Sequence, residues 1–249
     1  MTHETPGDTD FANSFDRAAD AYERARPSYP LEAAEWLVPL GAHDVLDLGA
    51  GTGKFTRLIA GGTRRVVAVD PSANMLAQLT TAVPGVETLV GTGESIPLPD
   101  ASVDAVVVAQ AWHWFDHAVA VPEIARVLRP GGTLGLIWNM RDESVPWVAS
   151  LMAIIGDSKS DALIADPQLP GTPFGVAEYR EVLWSNELTR DGLFDLVASR
   201  STFIVADENE KQRVLSAVTD LLQTAPELAG REAFTMPYRT HSFRTVREA

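Results

Sequence analysis

Three observations predict an open, doubly wound α/β sheet, mostly parallel. Val45-Leu46-Asp47-Leu48 is a short apolar run that breaks into glycines at alternate positions, Gly49, Gly51 and Gly53. A buried strand that stops at a glycine-rich turn and restarts as a helix presents backbone to a nucleotide-like ligand. Next, Val66-Val67-Ala68-Val69 reads as a second strand ending on Asp70, where an acid can accept hydrogen bonds from both ribose hydroxyls of an adenosine. Finally, Val103 to Ala109 is almost continuously apolar, the mark of a strand covered on both faces.

The elements follow in order from pattern and punctuation. Residues 11–26 predict a helix with Phe15, Ala18, Ala19 and Tyr22 near one face, ended by Pro27-Ser28-Tyr29-Pro30. A second helix covers Leu31 to Leu40. Asp44 to Leu48 is the first strand and leads into a helix from Lys54. Arg65 to Asp70 leads into a helix over Ser72 to Thr81, with Ser72 as N-cap. Val86 to Gly91 and Val103 to Ala109 are the third and fourth strands. A helix from His117 to Leu128 follows, capped by Asp116, and Arg129-Pro130-Gly131-Gly132 turns into the strand Thr133 to Trp138. Beyond Asn139 the rhythm changes to a helix over Trp147 to Ile155 and a Pro- and Gly-bearing loop. Tyr179 to Leu188 is then a strand, Asp191 to Ser199 and Glu208 to Gln223 are helices, and Phe234 to Val246 is the last strand. Strands alternating with helices mean a parallel sheet with helices on both faces.

Composition narrows the function. The 249 residues, 45% of them hydrophobic, suffice for one large α/β domain. No run approaches the roughly 20 apolar residues of a membrane span, and the polar, acidic start is unlike a signal peptide, so a cytoplasmic protein is expected. Zero cysteines exclude disulfides, thiolate nucleophiles and cysteine-ligated metals. The net charge of −14 opposes binding to a nucleic-acid backbone and favours a small-molecule partner. Composition leaves monomer and homodimer equally open.

The glycine spacing selects among ligands. A dinucleotide turn is G-x-G-x-x-G, but the residue three after Gly51 is Lys54. The distance from Gly49 to Lys54 is also wrong for a G-x-x-x-x-G-K-[ST] phosphate loop. Asp47 would repel a phosphate and suits a ligand with positive charge, such as an amine or a sulfonium. This acid-plus-glycine pattern resembles the first motif of the class I S-adenosylmethionine (SAM) dependent methyltransferases. Asp70-Pro71-Ser72-Ala73-Asn74-Met75-Leu76 is similar to their second motif. Gly93-Glu94-Ser95-Ile96-Pro97-Leu98-Pro99-Asp100 resembles the segment lining the adenine, and Leu128-Arg129-Pro130-Gly131-Gly132 their entry to the fifth strand. The resemblance is strong from Val45 to Asn139. Tyr22, Arg26, Pro27, Tyr29 and Pro30, with Gln110 to Phe115, resemble the methyltransferase type 11, trans-aconitate methyltransferase-like branch that acts on small molecules. Many relatives carry an acid for the adenine amino group where this chain has Thr92.

The resemblance implies a Rossmann-like, seven-stranded sheet with an antiparallel C-terminal strand. It divides the single domain into an N-terminal arm or lid (1–30), a SAM-binding core (31–140), an acceptor-covering insert (141–176) and a completion of the sheet (177–249). It implies SAM as methyl donor, S-adenosylhomocysteine as product, and a small-molecule acceptor methylated at a carboxylate or hydroxyl oxygen rather than at nitrogen or carbon. Cofactor contacts would come from Asp47, Gly49, Ala50, Gly51 and Gly53 at the methionine part, Asp70 and Pro71 at the ribose, and Met75 at the adenine face. Gly93 and Glu94 would hold the adenine by backbone, Ala109 and Gln110 the amino group, and Tyr22 and Arg26 the carboxylate or the lid. Each also has a purely structural use: the glycines as a tight turn, Asp70 as a cap, Met75 as core, Arg26 as a surface charge.

Candidate acceptor residues follow the fourth strand, where an open α/β sheet places its ligands. His113, with a reference pKa near ~6.5, is a candidate general base for a hydroxyl or amine proton; it is equally an acceptor contact or a packing group. Trp112, Trp114, Trp138 and Trp147 are candidate aromatic walls or core. Arg141, with Arg24, Arg26, Arg239 and Arg244, could hold a carboxylate, which needs cations and no base. A metal bound by His113, Asp116 and His117 would need a helix across Trp114-Phe115, so no metal site is expected. Two other readings stay open: a SAM-binding regulator or assembly factor without turnover, and a nicotinamide-dependent oxidoreductase on a similar sheet.

Overall fold

The computed structural model describes residues 27–156, 164 and 167–248. The predicted helix over 11–26, with Tyr22, Arg24 and Arg26, therefore lies outside the described residues. Seven strands form one sheet: β1 (Asp44–Leu48), β2 (Arg65–Asp70), β3 (Glu87–Val90), β4 (Val103–Ala109), β5 (Leu128–Arg141), β6 (Glu178–Thr189) and β7 (Ala233–Val246). Their order is β3-β2-β1-β4-β5-β7-β6. The pairs among β1 to β5 are parallel, and β7 runs antiparallel to β5. Glu178 with Arg244 and Trp184 with Tyr238 set β6 antiparallel to β7 in turn.

The order reverses between β1 and β4, and this switch point creates the ligand crevice of an open α/β sheet at the strands' C-terminal ends. The central strands are apolar throughout because helices cover both faces. One core packs Leu46, Leu48, Val67, Val69, Val106 and Val108 beneath the fourth helix; the other packs Val45, Val66, Ala105 and Val107 beneath the first. The helices are α1 (Leu31–Leu37), α2 (Thr56–Ile59), α3 (Ala73–Ala82) and α4 (His117–Val127), with a 3-10 turn over Trp112–Trp114. Ser72 caps α3 by accepting from the Met75 amide, and Asp116 caps α4 by accepting from Ala118.

Two expectations are corrected. The helix after the glycine turn is one turn long rather than a run from Lys54. Arg129-Pro130-Gly131-Gly132 lies within β5 instead of preceding it: Val103 pairs with Leu128 and Ala105 with Thr133, so the extra residues form an irregularity inside the strand.

The described residues form two compact units. One comprises 28–141, 164, 167–184 and 238–248; the other comprises 27, 142–156 and 185–237. The second unit contains helices α5 (Pro146–Ile155), α6 (Arg190–Ala198), α7 (Ser201–Ile204) and α8 (Glu208–Thr224). Trp147 is buried there, edge-on to Phe234 at 5.7 Å between ring centroids, so it packs as core and forms no acceptor wall. Among the described residues no helix is long and apolar enough to cross a membrane.

Candidate cofactor and acceptor site

The glycine turn is dictated by backbone geometry. Gly49 and Gly51 have φ of +74° and +55°, a region costly for residues with a Cβ. A Cβ on Gly49 would stand 2.5 Å from the Ala111 Cβ, so the turn after β1 and the chain after β4 touch only because glycine is there. At Gly51 the nearest atom to such a Cβ is Met75 Sδ, 3.8 Å away, so the backbone lies open beside a half-buried methionine. Met75 stands beside this turn instead of in the core.

Two acids flank the turn. Asp70 accepts from the amides of Gly51 (2.9 Å) and Ser72 (2.8 Å), which ties the turn to the start of α3. Asp47 is fully buried and accepts from Thr56 Oγ1 at 2.6 Å, while its Oδ1 has no hydrogen-bond partner. Burial pushes the Asp47 carboxyl up to about 7; the Thr56 hydroxyl opposes this and the Asp70 charge adds to it.

The segment after β3 is clamped by α4. Arg126 donates to the carbonyls of Ile96 and Leu98, and Glu123 accepts from the Ile96 amide. Gly93 leaves room for the Phe115 ring, which would sit 2.8 Å from a Cβ there. Thr92 pairs with Ser95 across a tight turn. Desolvation raises the Glu94 carboxyl, but hydrogen bonds from the Asp116 and Glu94 amides and from Thr92 outweigh it and hold the group below the usual range. Thr92, where many relatives carry an acid, thus bonds Glu94, which the Asp116 amide ties to the start of α4.

Beyond β4 the chain turns sharply. Gln110 has φ +58°, its amide donates to the Ile137 carbonyl, and its side chain donates to the Asn139 carbonyl at 3.1 Å. A non-glycine residue held there costs about 1–3 kcal/mol and is retained where its surroundings enforce it. The 3-10 turn then separates its aromatics. Trp112 is fully buried, donates to the Pro167 carbonyl at 3.1 Å and stacks on His117 at 4.4 Å. Trp138 is also fully buried, against Phe243. Of the two uses open to them, acceptor wall or core, both tryptophans pack as core. Trp114 is 64% exposed, and its ring lies 4.9 Å from that of half-buried His113. His117 Nε2 lies 3.0 Å from the Trp112 carbonyl, and among the described residues no three His, Asp or Glu side chains gather for a metal.

Arg141 ends β5, half-buried and opposite Tyr238. Arg239 and Arg244 are instead tied to Glu181 and Glu178 on the edge strand, with Arg244 also over the Trp36 ring at 4.6 Å. Residues missed from sequence are Thr56, which orients Asp47, and Asn139 with Thr240. Asn139 stands near the C-terminal end of β5, past its last pairing with β4, a position that could have flagged it; nothing marked Thr240.

The fold thus defines an open α/β protein with its ligand crevice at the β1–β4 switch point. The comparisons narrow the class. Residues 46–136 match the methyltransferase domain family. An uncharacterized methyltransferase of Mycobacterium tuberculosis is 51% identical over 231 residues, covering 93% of this chain and 94% of that one. A candidate type II methyltransferase from Anaeromyxobacter dehalogenans is 25% identical with a TM-score of 0.71, covering 89% and 97% of the two chains. Phosphoethanolamine N-methyltransferase 2 of Haemonchus contortus, solved with SAM, shares the fold at 20% identity and a TM-score of 0.52, over 94% of this chain and 57% of that one. The chain belongs to the SAM-dependent methyltransferases. The residues at the switch point fit that cofactor: a turn whose backbone lies open at Gly51, with the Asp70 carboxyl beside it and the buried, unpartnered Oδ1 of Asp47 beneath.

Proposed function

We propose that this enzyme methylates a small molecule at oxygen, a carboxylate or a hydroxyl, with His113 facing the acceptor. The observation carrying this reading is the placement of half-buried His113 beside exposed Trp114 on the turn after β4, at the switch point. The chain's net charge of −14 supports a small acceptor over a nucleic acid.

SAM supplies a methyl group already activated by its sulfonium. The chain's part is to bind, align and exclude water. The turn over Gly49, Ala50, Gly51 and Gly53, open at Gly51 and packed on Leu79 at Gly53, lies against the methionine part, with the buried Asp47 beneath it. Asp70 and Pro71 take the ribose, Met75, Gly93 and Glu94 the adenine, and the Ala109–Gln110 backbone the amine. Tyr22 and Arg26 serve the cofactor carboxylate. His113 removes a hydroxyl proton; Arg141 orients a carboxylate, which arrives ionised.

A screen of small acids, phenols and lipid-like alcohols with labelled SAM tests the reading. For a hydroxyl acceptor, His113→Ala leaves SAM affinity unchanged and lowers turnover by about 100-fold or more. For a carboxylate, Arg141→Ala raises KM while His113→Ala does little. SAM-induced thermal stabilisation without transfer to any compound would favour a binding protein and overturn the proposal.

A further inference from the structure

Asn139 sits in a hydrogen-bond chain whose direction is fixed by chemistry. Trp184 Nε1 can only donate, and does so to Thr240 Oγ1 at 2.7 Å. Thr240 gives its own proton to Asn139 Oδ1 at 2.6 Å. The amide is thereby oriented: Oδ1 faces Thr240, and Nδ2 donates to the Ser28 carbonyl at 3.0 Å. The same residue's main-chain carbonyl receives the Gln110 side chain. One residue past Ser28, the Tyr29 ring meets Phe55 edge-on, 5.5 Å between centroids, and Phe55 closely follows the glycine turn. Residues 28–30 are therefore tied at one end to β5 near its C-terminal end and at the other to the segment that follows the turn after β1. Because β4 lies between β1 and β5, this strap crosses the crevice.

We propose that Asn139 is a positioning residue for cofactor binding, holding residues 28–30 across the SAM crevice while bracing the left-handed Gln110 at its wall. The proposal rests on SAM occupying the β1–β4 crevice. No other side chain on β5 both fixes this strap and is itself fixed by β6 and β7 among the described residues. Both ends of the side-chain amide have a partner, so removing its nitrogen takes a donor from the Ser28 carbonyl.

Asn139→Asp keeps the size and the acceptor for Thr240 but removes the donor to Ser28. Calorimetry on the full chain is expected to show SAM Kd rising about tenfold or more, roughly the worth of one such bond, with the melting temperature of the free protein shifted little. A Kd within about twofold of wild type overturns the proposal, and so does a fall in melting temperature with unchanged Kd, which marks a structural tie only. Should this variant fail to fold, Thr240→Val and Thr240→Ser decide: the valine weakens SAM binding and the serine, which keeps the hydroxyl, restores it. Equal affinities for the two overturn the proposal. A wild-type protein that binds no SAM would sink the crevice assignment itself, which is a different failure from wild-type affinity in the variants.

Discussion

The two sides of the crevice are built differently. On the β1 side, the site is backbone: glycines in a conformation other residues resist, and two acids that hold amides or stay buried, all between Asp47 and Ser72. On the β4 side, it is side chains gathered from afar, with Gln110, Asn139, Thr240 and Trp184 joined across four strands. A backbone cradle fits the constant part of a reaction, the donor. A side-chain wall can be altered one residue at a time, as a family with many acceptors requires. Disturbing each side tests this division.

The largest effect is expected at Gly49. Alanine there must hold φ near +74° and overlap the Ala111 Cβ, which cannot rotate away. The left-handed backbone alone costs about 1–2 kcal/mol, and the overlap brings the loss to about 4 kcal/mol, in the exceptional range for one substitution. Thermal unfolding and SAM calorimetry check it. A variant that melts and binds like wild type would show that the two sides do not touch.

How much could be read from sequence follows the same division. The Asp47–Gly53 turn and Asp70 were legible because their meaning lies in neighbouring residues and backbone sterics. Strand β4 was placed at its observed ends for the same reason, an unbroken apolar run. The bounds of β5 were not, since its irregular entry carries the Pro and Gly of a loop while still pairing with Val103. Trp112 and Trp114 look alike in sequence, yet a single 3-10 turn sends one into the core and the other to solvent. Asn139 and Thr240 stand 101 positions apart, and no local pattern joins them.

The next effect is a pH dependence at Asp47. Its folded pKa, about 7, lies above the unfolded value of 3.8, so the folded state holds the proton more tightly. The group's contribution to stability is fully present below the unfolded value and is lost as pH rises through 7. Asp47→Asn, which retains an acceptor for Thr56 without the titration, removes that slope. Relative to this variant, the wild type is expected to lose about 4 kcal/mol between pH 4 and 8. Denaturant titrations at several pH values measure it, and parallel curves for the two proteins would refute the buried, proton-holding carboxyl.

The smallest effect on stability should come from Trp114, and it best separates the two sides. Its ring is 64% exposed and leans on His113, so alanine there should change stability by less than about 0.5 kcal/mol, as surface substitutions do. Donor binding, set by the β1 turn and by the strap that Asn139 holds, should be untouched. If the exposed ring faces the acceptor, KM for that acceptor rises several-fold with SAM affinity constant, whereas Gly49→Ala lowers SAM affinity. Loss of SAM affinity in Trp114→Ala would mean that the 3-10 turn after β4, and not only the strap that Asn139 holds, shapes the donor site, and the assignment of that turn to the acceptor would fail.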